Sequence, residues 1–479
     1  MGALSLKGKK IFFIGIKGTG MTALAELYRK AGAVVGGVDG TERFYTDGIL
    51  SELGIPFFEG MDRIHIDETF DEAVYSAAYT PQTAADLAEA HRLGIPCLTY
   101  PEALGRLSKL QPSAAVAGVH GKTTTSALCA SLVKAMGLDG SVLIGSGAAD
   151  LKNRCTWTGG NRFFIAETCE YRRHFLAFDP TFMILTSVEE DHPDYFKDYS
   201  DIRSAFIELA EKLPDNGAVV FCADDPGATE TAAMIAAARP ALRLVPYGLK
   251  ADGPFRISDN EEGCGINRFR LAFSGDREWR LRLPGHHFIL NATAALALIS
   301  LFLEREGCSF DDVMQEKAAS GLESFSGCRR RTERIGEAGG ILFMDDYAHH
   351  PTAIRTTLEG YKAFYRPKRL IVDFMSHTYS RTERLLDEFA SAFGAADMVV
   401  LNKIYASARE TAGHITGKTL YEETAKRHPC VYYKAEFVEA TAFLKTVLQP
   451  GDLFVTMGAG NNNGIGTDLL AYFRQKGDL

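Results

Sequence analysis

Short apolar runs alternate with helical segments along the whole chain. Strand-like runs occupy residues 11–16, 114–118, 181–186 and 369–374, and turn residues and apolar or amphipathic helices follow them. Strands that alternate with helices in this way are typical of βαβ units. The pattern therefore predicts an α/β fold with mainly parallel sheets.

The alternation restarts three times, which predicts three domains. We place them at residues 1–109, 110–325 and 326–479, each with its own mainly parallel, doubly wound sheet. Residues 254–284 instead alternate apolar and polar positions, as in FRLAF and WRLRL, and predict a small antiparallel sheet. The length of 479 residues, at roughly 150 per domain, agrees with three domains.

Charge and cysteine usage narrow the class of protein. The net charge of -9 argues against a general nucleic-acid-binding protein, which would need a basic surface to displace counterions. The nine cysteines are an odd number, are scattered, and include no CxxC pair. They predict reduced thiols in a cytosolic protein rather than disulfides or a zinc site.

Two hydrophobicity features bear on the location of the protein. The longest apolar stretch, Ala292–Leu303, is too short to cross a bilayer and predicts a buried helix. The first residues, MGALSLKGKK, lack the apolar core of a signal peptide. We therefore expect a cytoplasmic protein without a membrane partner.

The residues GVHGKTTT, at positions 118–125, follow a predicted strand and open a predicted helix. Gly118 and Gly121 allow the backbone to approach phosphates, and the helix N-terminus presents free N–H groups. Lys122 can reach the β and γ phosphates, and the Thr123 hydroxyl can ligate Mg²⁺. The common GxxxxGK[ST] form would require glycine where Val116 stands, so this is a shorter variant of the loop. The context predicts a P-loop domain that binds a nucleoside triphosphate.

Acidic residues follow the next two predicted strands. Glu167 ends one of them, and the pair Asp191-His192 lies just beyond the other. Ligands of parallel sheets bind at the carboxyl ends of strands, so these residues are candidates for metal binding or water positioning. Glu189 and Glu190 are interpreted as solvated loop charges.

A second glycine-rich turn, GIKGTGM at residues 15–21, connects the first strand to the first helix, and the next strand ends at Asp39. This βαβ arrangement is typical of nucleotide binding. An NAD-dependent oxidoreductase is a weaker alternative, because it would leave the phosphate loop unexplained.

Seven motifs together resemble the Mur ligases, which build the peptide stem of peptidoglycan. In chain order they are GVHGKTTT, AETCE, SVEEDHPDYF, LPGHHFILNA, FSGCRRR, DDYAHHPT and SHTYSRTERL. They are specific as a set, and the resemblance covers nearly the whole chain. It implies an ATP- and Mg²⁺-dependent amide ligase that activates a substrate carboxylate as an acyl phosphate.

The resemblance also implies roles for individual residues. The UDP part of the substrate would be bound by Gly18, Thr19, Gly20, Met21 and Asp39. ATP would be bound by Gly118, His120, Gly121, Lys122, Thr123, Thr124, His287, Asn291 and Asp346, and Mg²⁺ by Thr123, Glu167 and His192. The catalytic residues would be Lys122, Arg331 and His349, and the incoming amino acid would be bound by His349 and Arg381.

The expected reaction joins L-alanine to UDP-N-acetylmuramate. Cys169, Ser187, Phe288, Thr378 and Glu383 depart from the family pattern, and the last two stand where relatives have arginines. Two alternatives therefore stay open: a recycling ligase that attaches a murein tripeptide to the same UDP-sugar, and a nucleotide-binding homologue with altered catalysis. We expect a monomer or a weak homodimer.

Overall fold

The structure, a computed structural model, describes residues 5–406 and 414–477. The chain divides into two compact units, each assembled from three stretches of sequence. The first contains Met1–Val188, Arg203–Arg256 and Ala292–Leu322, and the second contains Glu189–Ile202, Ile257–Asn291 and Glu323–Leu479. Stretches that are distant in sequence therefore belong to the same unit.

The first unit contains a five-stranded parallel sheet. Its strands are β1 (Lys10–Ile14), β2 (Val34–Asp39), β3 (Phe57–Glu59), β4 (Glu72–Tyr75) and β5 (Cys97–Thr99), in the order β3-β2-β1-β4-β5. The helices of this region are α1 (Thr19–Lys30), α2 (Thr46–Glu52), α3 (Ala85–Leu93) and α4 (Tyr100–Ser108). The central strand β1 is buried from Ile11 to Ile14, as expected for a strand covered on both faces.

A seven-stranded sheet completes the first unit. Its strands are β6 (Ser113–Ala117), β7 (Gly140–Ala148), β8 (Arg154–Thr158), β9 (Phe163–Glu167), β10 (Phe182–Leu185), β11 (Ala218–Cys222) and β12 (Arg243–Tyr247). The order is β12-β11-β10-β6-β9-β7-β8, and only β7 and β8 pair antiparallel. The helices that belong to this stretch of chain are α5 (Lys122–Met136), α6 (Tyr199–Glu211) and α7 (Pro226–Ala238). The β7–β8 hairpin was not among the predicted elements.

The second unit contains two sheets. The antiparallel sheet predicted for residues 254–284 consists of β13 (Ile257–Gly263), β14 (Ile266–Leu271) and β15 (Glu278–Leu281). The larger sheet consists of β16 (Glu333–Ala338), β17 (Ile341–Asp346), β18 (Arg369–Phe374), β19 (Met398–Leu401), β20 (Val431–Tyr433) and β21 (Asp452–Met457). Its order is β16-β17-β21-β18-β19-β20, and only β16 runs antiparallel to its neighbour.

The described residues from His286 onward form eight further α-helices. They are α8 (His286–Arg305), α9 (Asp312–Ser324), α10 (Pro351–Tyr365), α11 (Tyr379–Arg384), α12 (Leu386–Ala390), α13 (Gly417–Ala425), α14 (Phe437–Val447) and α15 (Asn463–Gly477). The predicted α/β fold, three domains with mainly parallel sheets, is confirmed. The residue boundaries chosen for the domains stay a prediction.

Successive side chains along the strands of the six-stranded sheet pack into two separate hydrophobic cores, one on each face of the sheet. On β18, Ile371 packs into one hydrophobic cluster and Val372 into the other. On β17, Phe343 and Met344 divide in the same way. Side chains alternate between the two faces of a strand, so a sheet with a core on each face needs continuous apolar runs. Each fully buried side chain of this size contributes roughly 1.5–3 kcal/mol.

Helix α8 is the one described helix that is long and apolar enough to cross a membrane, and 78% of its most apolar window is buried inside the protein. It begins at His286, five residues before the predicted start at Asn291. The buried helix predicted for Ala292–Leu303 is therefore observed, and it extends back through the motif that precedes it.

Candidate active site

A phosphate-binding loop connects β6 to α5 in the first unit. Gly118 has a φ of 129° and Gly121 a φ of 81°, conformations that residues with a Cβ rarely adopt. A Cβ at Gly118 would lie 2.1 Å from the hydroxyl oxygen of Thr186, so only glycine fits there. The amide of His120 donates to Ser187 Oγ at 2.9 Å, which holds the loop against the residues that follow β10.

Lys122, the first residue of α5, is folded back onto this loop. Its Nζ donates to the carbonyl oxygens of Gly118 at 2.5 Å and Val119 at 3.2 Å, and it pairs with Glu170 at 2.9 Å. Burial lowers the pKa of Lys122, but neighbouring negative groups, Glu170 foremost and Glu167 among them, outweigh burial and raise the pKa. Lys122 is therefore charged. Its ammonium group is paired with Glu170, and the phosphate oxygens of a nucleotide would compete with Glu170 for this group.

Glu167 ends β9 and reaches the first turn of α5. One carboxylate oxygen accepts from the Thr123 hydroxyl at 2.9 Å, and the other accepts from the amide of Gly145 at 2.7 Å. The parallel pairing of β9 with β6, which sets Glu167 beside Val116, brings the carboxylate to the loop. A hydroxyl and a carboxylate at this distance are hard oxygen donors of the kind that Mg²⁺ prefers. The two residues therefore fit a magnesium ion.

The predicted UDP-binding turn lies at the carboxyl edge of the five-stranded sheet. Gly18 precedes α1, and Thr19, Gly20 and Met21 are the first residues of that helix. The first amides of a helix have no partner within it and carry a partial positive charge, which suits a diphosphate. The structure thus places four of the five residues predicted for UDP at one helix N-terminus.

Asp39, the fifth of these residues, is buried and bonded within the protein. Its carboxylate accepts from the amides of Lys17 and Gly40, both at 2.7 Å, and from the Tyr79 hydroxyl at 2.8 Å. In this structure Asp39 organises the glycine turn. Its direct contact with uridine stays a prediction.

Tyr100 lies beside the glycine turn and within electrostatic reach of Glu167, and it was not among the predicted site residues. Its ring is so close to Gly20 that a Cβ at that position would lie 3.1 Å away. Burial and, after it, the charge of Glu167 raise the pKa of the Tyr100 phenol, so it stays protonated. One signal was available, because Tyr100 directly follows β5 and the carboxyl ends of parallel strands carry ligand-binding residues.

Arg381, predicted to bind the amino-acid carboxylate, is buried in the second unit. Its Nη2 and Nε donate to Asp191 Oδ1 at 2.6 and 3.0 Å, and its Nη1 lies 3.3 Å from His377 Nδ1. The guanidinium therefore holds a carboxylate already, that of Asp191. His192 follows with a φ of 52°, a left-handed conformation that is strained for histidine.

His349 and Arg331 meet the same aromatic ring in the second unit. The Arg331 guanidinium lies 4.8 Å from the centre of the Tyr347 ring, and the His349 ring lies 5.1 Å from it. His349 Nδ1 is 2.8 Å from the Tyr347 carbonyl, which favours the proton on Nδ1 and leaves the lone pair on Nε2. Burial, reinforced by Arg381, lowers the pKa of His349 well below its usual range, so the ring is neutral.

Asp346, at the end of β17, is bonded within the second unit much as Asp39 is in the first. It accepts from the amides of Thr332 at 2.7 Å and Ala348 at 2.8 Å.

His287 and Asn291 lie one turn apart on α8. Burial, and then the neighbouring His286, lower the pKa of His287 to about 4, so it offers a neutral ring.

Comparison with known proteins agrees with this architecture. Residues 10–111 match the model described as Mur ligase family, catalytic domain, residues 116–299 the Mur ligase middle domain, and residues 330–460 the Mur ligase, glutamate ligase domain. A relative from Treponema pallidum, named UDP-N-acetylmuramate–L-alanine ligase, is 47% identical over 478 residues and covers 98% of each chain. The chain belongs to the Mur ligase family.

Two further Mur ligases extend the likeness. A relative from Borreliella burgdorferi with the same name is 39% identical and covers 94% of this chain and 96% of its own. The crystal structure of UDP-N-acetylmuramate-alanine ligase MurC from Thermotoga maritima has a TM-score of 0.77, covers 98% of this chain and 99% of its own, and is 24% identical. At that identity the structural likeness concerns the fold.

In this Mur ligase the predicted site residues fall into three groups. The phosphate loop, including Thr124 and His120, meets Glu167 in the first unit, and the UDP-binding turn lies in the same unit. Arg331, His349, Asp346, Arg381 and His192 belong to the second unit, together with His287 and Asn291. The roles assigned to all these residues stay predictions. Sequence reasoning missed Lys17, Tyr100 and the pairing of Asp191 with Arg381, which depend on contacts between remote segments.

Proposed function

We propose that this protein joins L-alanine to UDP-N-acetylmuramate, with cleavage of ATP to ADP and phosphate, in the synthesis of peptidoglycan precursors. The observation that carries the proposal is the phosphate loop, in which Thr123 and Glu167 meet at 2.9 Å beside the charged Lys122. Full-length relatives at 47% and 39% identity that carry the name of this reaction support the choice of substrates.

The first half of the reaction activates the carboxylate of the UDP-sugar. A carboxylate does not react with an amine at neutral pH, whereas an acyl phosphate is a good electrophile. Transfer of the γ-phosphoryl group requires alignment and neutralisation of charge rather than covalent participation of the protein. Lys122 is suited to this task, because it is already charged and held against the loop. Glu170 would give up the lysine to the phosphates.

Thr123 and Glu167 are the proposed magnesium ligands of the first unit. Magnesium, when bound, would neutralise the phosphate oxygens. The hydrogen bond from the Gly145 amide orients the Glu167 carboxylate toward the loop. His192 as a further magnesium ligand, and His287, Asn291, Asp346 and Arg331 as ATP-binding or catalytic residues, remain proposals taken from the family resemblance.

The second half of the reaction is attack of the amine on the acyl phosphate, which expels phosphate. Nε2 of the neutral His349 carries a lone pair that can accept the amine proton. Arg381 is the proposed partner of the amino-acid carboxylate, because guanidinium groups bind carboxylates through paired N–H donors. The two N–H donors that Arg381 directs at Asp191 are the kind of donors that an amino-acid carboxylate would require.

Gly18, Thr19, Gly20 and Met21 are the proposed contacts of the UDP group, at the N-terminus of α1. We further propose three domains with boundaries near residues 109 and 325, a cytoplasmic location, and a monomer or weak homodimer. No nucleic acid or membrane is a proposed partner.

A recycling ligase that couples a murein tripeptide is the second candidate, since Thr378 and Glu383 alter the motif that contains Arg381. Coupled measurement of phosphate release separates the two. With ATP, Mg²⁺ and UDP-N-acetylmuramate, we expect turnover with L-alanine and little with the tripeptide L-alanyl-γ-D-glutamyl-meso-diaminopimelate. The reverse preference would establish the second candidate, and no turnover with either acceptor would favour a homologue with altered catalysis.

The Lys122→Ala variant tests the site itself. Removing the ammonium takes away the positive charge that the phosphates need, so we expect phosphate release to fall by roughly three orders of magnitude, as for the loss of a charge clamp on a transferring phosphoryl group. Near-normal turnover of the variant would refute the assignment of the phosphate loop.

A further inference from the structure

Lys17 lies inside the glycine turn of the five-stranded sheet, and its side chain is completely buried. A lysine in such a turn would be expected to reach for phosphate. Its Nζ instead donates to the carbonyl oxygens of Gly40 at 2.9 Å and Glu42 at 3.1 Å, and to Glu59 Oε1 at 2.7 Å. Asp47 lies 3.9 Å from the same nitrogen. An ammonium has three N–H donors, and these three contacts account for all of them.

The contacts of Lys17 tie the turn to the segment that follows β2. The backbone of Lys17 contributes as well as the side chain. The Lys17 carbonyl oxygen accepts a hydrogen bond from the Thr46 hydroxyl at 2.5 Å. Its amide donates to Asp39, the last residue of β2, which also accepts from the Tyr79 hydroxyl. Residues 40–47 comprise the loop after β2 and the first two residues of α2, and we call this segment the β2 loop. It is therefore attached to the turn through the backbone and the side chain of Lys17 together.

The β2 loop carries Tyr45 to the N-terminus of α1. The Tyr45 hydroxyl lies 3.1 Å from Thr19 Oγ1 and 3.1 Å from Cys155 Sγ. Thr19 belongs to the four residues proposed to contact the UDP group. Loosening the β2 loop would thus move a hydroxyl that lies against the proposed binding site.

We infer that Lys17 is a positioning residue for the UDP-sugar: it holds the β2 loop against the glycine turn as a wall of the substrate site and does not bind the diphosphate itself. The inference rests on the proposed function, which supplies the substrate. Burial makes the arrangement strong, since hydrogen bonds made by a charged donor shielded from water are stronger than those between neutral groups. Binding then requires little ordering of the loop, which preserves affinity.

The first experiment replaces Lys17 with methionine, which keeps the length and removes the ammonium. Losing charge-assisted hydrogen bonds of this kind should raise the KM for UDP-N-acetylmuramate about ten- to a hundredfold. The KM values for ATP and for the amino acid should stay within about twofold, because the hydrogen bonds of the Lys17 ammonium go to the β2 loop and to Glu59 of β3. Calorimetric titration with UDP-N-acetylmuramate should show the same loss of affinity.

Two threonine variants provide a matched pair in case the methionine variant does not fold. Thr46→Val removes the hydroxyl that ties the β2 loop to the Lys17 carbonyl. Thr22→Val removes an equally buried hydroxyl that bonds the Ile16 carbonyl of the same turn at 2.7 Å, but from within α1. We expect Thr46→Val to raise the KM for the UDP-sugar severalfold and to speed hydrogen exchange of the β2 loop amides, and Thr22→Val to do neither.

The outcomes separate the two proposals. If the unmodified protein neither binds nor turns over UDP-N-acetylmuramate, the proposed function fails. If it does so, and Lys17→Met and Thr46→Val leave the KM unchanged, the inference about Lys17 is overturned. Equal KM increases for all three substrates, or equal effects of Thr46→Val and Thr22→Val, would likewise overturn it, because they indicate a general role in stability.

Discussion

Asp373 is a fully buried carboxyl group near the end of β18. Nδ2 of Asn462 donates to it at 2.9 Å and Nδ2 of Asn402 at 3.1 Å. Burial raises the pKa of Asp373 to about 7, although these two hydrogen bonds act in the opposite direction. The folded protein therefore binds this proton more tightly than the unfolded chain does, and stability depends on pH.

The Asp373→Asn variant should remove that pH dependence. Below about pH 4 the group is protonated in both states, and from there to about pH 7 only the unfolded chain releases the proton. The free energy of unfolding should therefore fall with rising pH in the parent protein, by at most about 4 kcal/mol, and level off above pH 7. Urea unfolding at several pH values would show the curves of parent and variant diverging between pH 4 and 7.

The side chain amide that Asp373→Asn introduces can form hydrogen bonds with the neighbouring side chains. Oδ1 of Asn402 and Oδ1 of Asn462 are buried and have no hydrogen-bond partner among the described residues. Either carboxamide can therefore turn its oxygen toward the new amide. Parallel unfolding curves for parent and variant would contradict the raised pKa of Asp373.

The β7–β8 hairpin joins the two sheets of the first unit. Glu26 of α1 accepts from Arg154 at 2.9 Å and from the Thr156 hydroxyl, both on β8, and Arg154 also pairs with Glu52 at 2.8 Å. Glu26 is buried, so leaving it unpaired would be costly. The hairpin thus keeps the helix that carries the UDP-binding turn in the same compact unit as the phosphate loop.

Helix α11 is joined to the segment after β10 by two adjacent ion pairs that differ in burial. The side chains of Arg381 and Asp191 are each 4% exposed, whereas those of Arg384 and Glu190 are each 42% exposed. Asp191→Ala leaves a buried guanidinium unpaired and should lower the free energy of unfolding by about 3–5 kcal/mol. Glu190→Ala should lower it by less than about 1 kcal/mol. Chemical denaturation of the two variants measures both changes.

A double variant separates the energy of the Arg381–Asp191 interaction from the cost of burying each charged group alone. Arg381→Met combined with Asp191→Ala should destabilise the protein by less than the sum of the two single changes, because neither charge is then left alone. Strict additivity would indicate that the two side chains do not interact in solution.

All nine cysteines lie within the described residues, and none of them forms a disulfide there. Cys169, Cys264 and Cys308 are exposed, and the other six are buried or partly buried. A thiol reagent should therefore react quickly with Cys264 and Cys308 of the native protein and with all nine thiols after denaturation. Cys169 should react slowly in the native protein, because burial raises its pKa to about 12 and leaves little thiolate. Reducing agent should leave the melting temperature unchanged. Fewer than nine reactive thiols in denaturant without reductant would reveal a disulfide and contradict the structure.

The family, the class of fold and the phosphate loop were predictable from the sequence because their signals are local. A strand, a turn with Gly118 and Gly121, and a helix follow one another within the chain. Glu167 could be placed beside Thr123 by one general rule, that the carboxyl ends of neighbouring parallel strands converge. The hairpin at β7 and β8 and the early start of α8 escaped prediction, since packing rather than propensity determines both.

The order of residues alone was sufficient to identify an α/β Mur ligase with a loop suited to a nucleoside triphosphate. Only the tertiary structure decided which groups are already engaged. Lys17 turned out to bind the β2 loop, and Asp191 to pair with Arg381 from 190 residues away. Such contacts depend on burial and on the approach of remote segments, and no local pattern encodes either. A charged residue in a motif therefore indicates a chemistry, whereas its neighbours in space determine whether that chemistry is available to a substrate.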